Sequence, residues 1–450
     1  MRHLSIDLET YSSVDIKKAG AHAYVRSPDF QILLNAYQFW GEMDSPVVLD
    51  YSEGEILPQW FINALLDPTI IKHAYNATFE YICFSRALGY ELPKECWRDT
   101  QLHALYCGYP ASLEAAGKAI GLSEDKQKLT TGKALIRYFC VPCKPTKTNG
   151  NRTRNYPQHD PQKWAMFKEY NRQDVVTEME IERRLSDIPV PPKIQQQWIS
   201  DLTINLRGVA VDMALVNGAL DIGQKATETL TDEAIQLTAL NNPNSVKQLS
   251  GWLSERTGAS IENMRKDTVS AMLKADNAPD VQRMLEIRQE LGKTSTKKYD
   301  AIKTCVCADN RVRGLLQFYG ANRTGRWAGR LVQVQNLPRT YTDPLPLARE
   351  LVKQKSINGL RAVYGSVNDT LSQLIRTAFV STNSDSKDGN VLIDADFSAI
   401  EARVISWLAG EEWRLDVFRT HGKIYEASAA QMFGVPIERI KKGNPEYALR

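Results

Sequence analysis

No stretch of this 450-residue chain is apolar for long enough to cross a bilayer, which argues against a membrane-spanning helix. The first residues, Met1-Arg2-His3-Leu4-Ser5-Ile6-Asp7, enter an alternating pattern at once and do not read as a signal peptide. Cysteine is sparse: seven, odd in number and scattered, which argues against a disulfide framework and for a reducing cytoplasm. Cys140 and Cys143 could join Cys305 and Cys307 in a four-thiolate zinc site. The Cys305-Val306-Cys307 spacing is wrong for a zinc knuckle, so all are read as free thiols. Neither charge dominates. The formal net charge is +3, so composition alone announces neither nucleic acid nor an acidic partner. No internal repeat is visible.

With 43% apolar and 24% charged residues, the composition is that of a soluble globular protein, long enough for two or three domains. The local charge distribution is more telling. Residues 126–154 carry eight Lys/Arg and no Asp/Glu, and residues 293–330 carry nine against two. Such runs can track a phosphate backbone, or can simply be solvated faces. Ile188-Pro189-Val190-Pro191-Pro192-Lys193 is the best domain boundary. Ser245 can cap a helix after it, residues 283–302 read as one long helix, and residues 382–389 read as a loop.

Acids cluster in the first third. His3 to Thr10 alternates as a half-buried strand, so Asp7 and Glu9 share one face. Residues 70–80 run from strand to helix and put Glu80 near the helix start. Trp97 to Asp99 follows another short apolar stretch. Residues 167–178 read as a helix on which Tyr170 and Asp174 project together, one turn apart. Near the other end, Val391-Leu392-Ile393 suits a buried strand, with Asp394 and Asp396 on one face beyond it. Ile400, Val404, Trp407 and Leu408 then recur at helical spacing. An acid between strand and helix can hold a divalent metal, or can merely satisfy backbone groups.

The segment Asp394-Ala395-Asp396-Phe397-Ser398-Ala399-Ile400-Glu401-Ala402-Arg403 resembles motif A of the family A DNA polymerases, Asp-Tyr-Ser-Gln-Ile-Glu-Leu-Arg. The resemblance implies that Asp396 binds a catalytic metal and that Glu401 crowds the sugar 2′ position and rejects ribonucleotides. Ala399 departs from the family's Gln and is given no role. Thr324-Gly325-Arg326 and Gln335-Asn336-Leu337-Pro338 are similar to the family's Thr-Gly-Arg…Gln-Asn-Ile-Pro segment. Arg326 would then reach the primer-template minor groove, with Gln335 and Asn336 nearby. Ile375-Arg376-Thr377-Ala378-Phe379 matches Ile-Arg-Gln-Ala-Phe, making Arg376 a DNA-side residue. Gly208-Val209-Ala210-Val211-Asp212 resembles the start of the polymerase region, and residues 422–436 resemble the start of its fingers.

The N-terminal acids, over about residues 1–188, resemble the DEDD 3′–5′ exonucleases. Asp7 and Glu9 match Asp-x-Glu, Asn76 and Glu80 match the second motif, and Tyr170 and Asp174 match Tyr-x-x-x-Asp. The second-motif acid is usually Asp; Glu80 is favoured by its spacing from Asn76, with Asp99 as the alternative. The resemblance implies two Mg²⁺ ions, replaceable by Mn²⁺, on Asp7, Glu9 and Asp174, with Tyr170 orienting the attacking water and Asn76 near the substrate.

The expected organisation follows: an α/β RNase H-like exonuclease domain (1–188), a proline-rich linker (189–193), a mostly helical thumb (194–310), an α+β partial palm (311–420) and the start of the fingers (421–450). In the thumb, Lys293, Lys297 and Lys298 would meet phosphates. The expected partner is DNA, as primer-template or a single-stranded 3′ end, in a bacterial or phage-infected cytoplasm. A fingers helix with Arg, Lys and Tyr-Gly, and the His-Asp-Glu motif, are not found. The expectation is therefore 3′–5′ exonuclease activity without synthesis by this chain alone, and dNTP use only with a second polymerase chain or the missing part. The alternatives are a stand-alone exonuclease and a non-catalytic DNA-binding subunit.

Overall fold

Alternating Leu4, Ile6 and Leu8 bury one face of β1 (Arg2–Tyr11), the middle strand of a five-stranded sheet. The computed structural model describes residues 2–449 apart from 55, 128–131, 293–295, 322 and 382–390. They form two compact units, 1–390 and 391–450.

In the first unit, α1 (Ile16–Val25) leads to β2 (Gln31–Phe39), which pairs antiparallel with β1 and with β3 (Val47–Asp50). α2 (Gln59–Leu66) precedes β4 (Ile70–Ala74), which lies parallel to β1. α3 (Thr78–Leu88) makes the crossover to β5 (Trp97–Asp99), parallel to β4, because parallel neighbours cannot be joined by a tight turn. The order is β3-β2-β1-β4-β5. α4 (Thr100–Tyr106), α5 (Leu113–Ile120), α6 (Gly132–Phe139) and the long α7 (Pro161–Leu185) follow.

Apolar clusters hold the sheet. One joins Leu4, Ile6, Phe61, Phe84 and Trp97 to Trp198, Ile199 and Leu202 of α8 (Pro192–Arg207). A second joins Leu33 and Leu34 to Phe139, Trp164, Phe167 and Tyr170 of α6 and α7. Each such side chain contributes roughly 1.5–3 kcal/mol when fully buried. The proline-rich segment stays on this body. Val190 and Ile194 pack on the first cluster, and Pro192 begins α8, where its missing N–H costs nothing.

After α8 the first unit is largely helical. β6 (Val209–Val211) enters α9 (Met213–Thr238), capped by Asp212, whose carboxylate accepts from the Leu215 N–H. α9 belongs to two cores: Val216 and Ile222 to one, Leu230 and Ala234 to another. Ser245 caps α10 (Val246–Thr257) through the Gln248 N–H. α11 (Lys266–Met272) is short. The single helix expected over 283–302 is instead α12 (Pro279–Leu291) and α13 (Lys297–Cys305), with the first ending at Gly292, a poor helix former. Beyond it lie β7 (Arg311–Val312), the β8 (Leu316–Ala321) and β9 (Arg326–Gly329) pair, α14 (Leu345–Lys353), α15 (Ile357–Tyr364), α16 (Val367–Leu374) and β10 (Phe379–Val380). β10, β6 and β7 form a small antiparallel sheet.

The second unit contains α17 (Ile400–Leu408), α18 (Glu412–Thr420) and α19 (Ile424–Phe433). Here one expectation is corrected. Val391 to Ile393 are not a buried strand: the segment is irregular, with Val391 74% and Ile393 88% exposed. A strand needs a neighbour for its N–H and C=O groups, and among the described residues none pairs with it. The helix after it does form, with Glu401 in its first turn. No helix among the described residues is long and apolar enough to cross a membrane.

Candidate functional site

β1 and α7 bring together the densest group of acids. One carboxylate oxygen each from Asp7, Glu9 and Asp174 lies within 4.8 Å of the others. The two-residue period of β1 points Asp7 and Glu9 to one face, and a register shift against β2 falls directly after Glu9. Asp174 comes from α7. Asp174 is 3% and Glu9 7% exposed. Unit charges about 4 Å apart repel by about 4 kcal/mol at an effective dielectric of 20, so three carboxylates this close, two of them buried, call for a counter-charge. A donor set made wholly of carboxylates suits a hard divalent cation, so these residues fit the magnesium expected from sequence.

Neighbours hold each acid in place. Asn171 Nδ2 donates to Asp7 Oδ2 at 2.7 Å and to the Asp7 carbonyl at 3.1 Å, tying α7 to β1. The buried Cys140 thiol faces Glu9 Oε2 at 3.7 Å. Sequence reasoning missed both. Asn171 precedes Asp174 by one helical step on the same face, which was a usable signal; nothing in the sequence pointed to Cys140. The Tyr170 hydroxyl hydrogen-bonds Asp174. Burial, then the charges of Asp174, Glu9 and Asp7, push its phenol far upward, so it stays protonated. Tyr170 is 1% exposed beneath Gly132 of α6. A Cβ at Gly132 would stand 2.0 Å from Tyr170 Cε2.

Glu80 sits in the first turn of α3 and is not one of the three mutually close acids. It is buried, and its Oε2 has no hydrogen-bond partner. Burial first, then the charge of Asp7, raises its pKa well above the usual value. Asp99 is differently employed. Its Oδ1 accepts from the Asn76 N–H at 3.0 Å and the Gln101 N–H at 2.9 Å, capping α4, and its Oδ2 accepts from Trp198 Nε1 at 3.2 Å. Asn76 holds a left-handed turn between β4 and α3.

A second set of expected residues gathers elsewhere in the first unit. Arg326 opens β9 and is exposed. The Gln335 amide lies against Gly329 of the same strand, in the space a side chain there would take. Gln335 and Asn336 are exposed in a single turn of 3₁₀ helix. Arg376 Nη2 donates to the Leu337 carbonyl at 2.9 Å, bracing that turn. Lys297 is exposed on α13. Lys298, expected to meet phosphate, instead donates to the Val332 carbonyl at 2.6 Å, satisfying a buried backbone group. Lys293 lies outside the described residues, as do 382–390. In the second unit Asp394, Asp396 and Glu401 are exposed, and among the described residues Asp396 belongs to no group of three potential metal ligands. All seven cysteines are free: Cys143 Sγ faces the Arg152 carbonyl, and Cys305 the Ile302 carbonyl.

The model of DNA polymerase family A matches residues 219–447. A DNA polymerase of Bacillus phage SP02 is 51% identical over 446 residues, covering 99% of this chain and 67% of the phage protein. DNA polymerase I of Streptococcus pneumoniae strain TIGR4 is 25% identical over 216 residues, 46% of this chain and 21% of that protein. Among solved structures, the POL domain of Pol1 from M. smegmatis, in complex with DNA primer-template and dNTP, superposes with a TM-score of 0.56 at 15% identity. That match covers 98% of this chain and 65% of the other; at such identity it speaks for the fold alone. The chain thus spans about two thirds of the phage relative and of the solved chain, so the motifs it lacks carry no conclusion about synthesis.

Proposed function

Because this chain belongs to DNA polymerase family A, a family of nucleotidyltransferases, we propose that it binds primer-template DNA and that its N-terminal acids edit the 3′ end. The observation that carries the editing reading is the convergence of Asp7, Glu9 and Asp174 within 4.8 Å. On this reading residues 1–188 are an RNase H-like 3′–5′ exonuclease domain, 194–310 a thumb, 311–420 a palm segment and 421–450 the start of the fingers.

Two magnesium ions would be held by Asp7, Glu9 and Asp174, and when bound they supply a nucleophile at neutral pH and neutralise charge at the leaving oxygen. The chain's own groups do the rest. Asn171 holds Asp7 in its rotamer. The Tyr170 hydroxyl, kept protonated by burial, orients the attacking water beside Asp174. Glu80 is the fourth acid of the set, supported by its unpartnered oxygen and its electrostatic contact with Asp7. Glu80 is preferred to Asp99, whose oxygens already accept from the Asn76 and Gln101 N–H groups and from Trp198 Nε1. Asn76 turns the chain towards the nucleotide. Arg326, Gln335 and Asn336 face the duplex, Arg376 braces them, and Lys297 meets phosphate. Asp396 is the metal-binding aspartate of synthesis and Glu401 the guard against ribonucleotides.

The test is a gel assay with purified protein, Mg²⁺ and a 5′-labelled primer-template, with and without dNTPs. A ladder shortening from the 3′ end, abolished by Asp7→Ala, supports editing. A ladder that survives Asp7→Ala and Asp174→Ala removes it. Extension with dNTPs, lost in Asp396→Ala, would give the palm assignment its own support.

A further inference from the structure

One turn further along α7, a second cluster of potential ligands lies on the same helix and takes no part in the editing site. A ring nitrogen of His73, at the end of β4, and one carboxylate oxygen each of Glu178 and Glu182 lie within 4.8 Å of one another. His73 is 3% and Glu178 2% exposed. Two of their polar atoms, His73 Nδ1 and Glu178 Oε2, are buried without any hydrogen-bond partner. Leaving such a group unsatisfied costs about 1–3 kcal/mol each. With the His73 proton on Nε2 and Glu178 ionised, both atoms are acceptors and neither satisfies the other; burial pushes the Glu178 carboxyl up to about 8, and a nearby cation is what would offset that cost. A cation between them satisfies both.

The surroundings fit that guest. His73 Nε2 meets His3 Nδ1 at 2.9 Å, and the Trp40 ring stacks on His73 with centroids 4.8 Å apart. If Nε2 carries the proton and gives it to His3, Nδ1 presents a lone pair, which is how metal-bound histidines are oriented. Thr100 Oγ1 donates to Glu178 Oε1, and Ser5, itself held by Trp40 Nε1 at 2.9 Å, hydrogen-bonds the same carboxylate. His103 Nδ1 meets Glu182 Oε2 at 2.9 Å while His103 Nε2 meets the Ile188 carbonyl at 2.8 Å. Burial lowers the His103 pKa, but the hydrogen bond and charge of Glu182 outweigh it and raise it.

We propose that His73, Glu178 and Glu182, with water in the fourth position, bind a transition-metal ion, Zn²⁺ in kind, that clamps α7 to β4. One nitrogen and two carboxylate oxygens are within zinc's ligand range, and two carboxylates neutralise its charge. Ligand atoms around tetrahedral zinc are about 3.3 Å apart for bonds near 2.0 Å, so binding draws the three side chains slightly inward. The proposal is independent of the editing reading, since no residue is shared.

The experiment begins with full-length protein stripped by chelator, reloaded with equimolar ZnSO₄ in excess Mg²⁺ and passed through a desalting column. Atomic emission should find about one zinc per chain in the wild type and in Asp7→Ala, and at least about fivefold less in the His73→Gln/Glu178→Gln pair. Zinc that survives in the pair, or that is lost in Asp7→Ala, overturns the proposal. Should the pair fail to fold, zinc-edge X-ray absorption of the wild type decides. A nitrogen/oxygen shell with imidazole scattering supports the site. A sulfur shell, meaning the cysteines hold the zinc, or no retained zinc, meaning the pocket holds water, overturns it.

Discussion

Gly132→Ala is the sharpest test of how the proposed editing site is built, because Gly132 is not among the residues assigned to DNA or metal. The new methyl would stand 2.0 Å from Tyr170 Cε2 and 2.4 Å from Cζ. Carbon atoms rest about 3.5–4.0 Å apart, so ring and helix must separate by roughly 1.5 Å. Overpacking of this kind costs about 1–3 kcal/mol, and the gain in helix propensity from Gly to Ala offsets up to about 1 kcal/mol. The protein should therefore remain folded with a modestly lower Tm. A displacement near 1.5 Å takes the Tyr170 hydroxyl out of reach of Asp174, and an ångström of misplacement can cost about 10²-fold in rate. We expect single-turnover degradation of a 5′-labelled single strand to fall about 10²-fold, as far as it falls in Tyr170→Phe. The double variant should fall no further, because both changes remove one interaction. Affinity for the strand, measured by fluorescence anisotropy in Ca²⁺, should not change. If Gly132→Ala keeps its rate within a factor of about two while Tyr170→Phe loses its own, the packing of α6 does not position the tyrosine. If Tyr170→Phe is itself fully active, the role given to the hydroxyl is wrong.

Other predictions concern separate parts of the chain. Asn171→Ala should lower nuclease rate about 10- to 100-fold and raise the Mg²⁺ concentration needed for half activity, as loss of a ligand's supporting partner does; an unchanged Mg²⁺ titration would refute it. Asp212→Ala leaves Arg349 and Lys353 without the carboxylate they meet at 2.7 and 2.9 Å, and urea melts should show a loss of about 3 kcal/mol. Burial opposes ionisation of Asp212, but the Lys353 hydrogen bond, the Leu215 N–H and both cations hold its pKa below the ordinary 3.8. Its contribution is therefore present above about pH 4 and lost as pH falls below it, so wild type and Asp212→Ala should converge in stability only under acid conditions. Lys297→Ala should weaken primer-template binding and reduce the slope of log K against log salt by about one, and an unchanged slope would refute the phosphate contact given to Lys297.

What was legible in the sequence followed from local periodicity. Asp7 and Glu9 could be placed on one strand face, and Tyr170 and Asp174 on one helix face, because residues two apart on a strand and four apart on a helix must point together. What was not legible depended on partners far away in the chain. The spacing from Asn76 favoured Glu80 over Asp99, but nothing in the sequence signalled that Trp198 Nε1, on a helix beyond the proline-rich segment, would occupy one oxygen of Asp99. The fate of Lys298 turns on the Val332 carbonyl. Cys140 gives no sign in sequence that its thiol will face Glu9. Residues 391–393 fail for the complementary reason. Their β-branched, apolar run satisfies every local criterion for a strand, yet a strand is a property of a pair, and among the described residues the other half is not there. Local pattern therefore specifies which side chains share a face, while the chemistry each can do is set by the atoms brought against that face from elsewhere. His73 Nδ1 and Glu178 Oε2 are two of several buried atoms without a hydrogen-bond partner, and they are where the proposed ion would supply from outside the chain what no distant residue supplies.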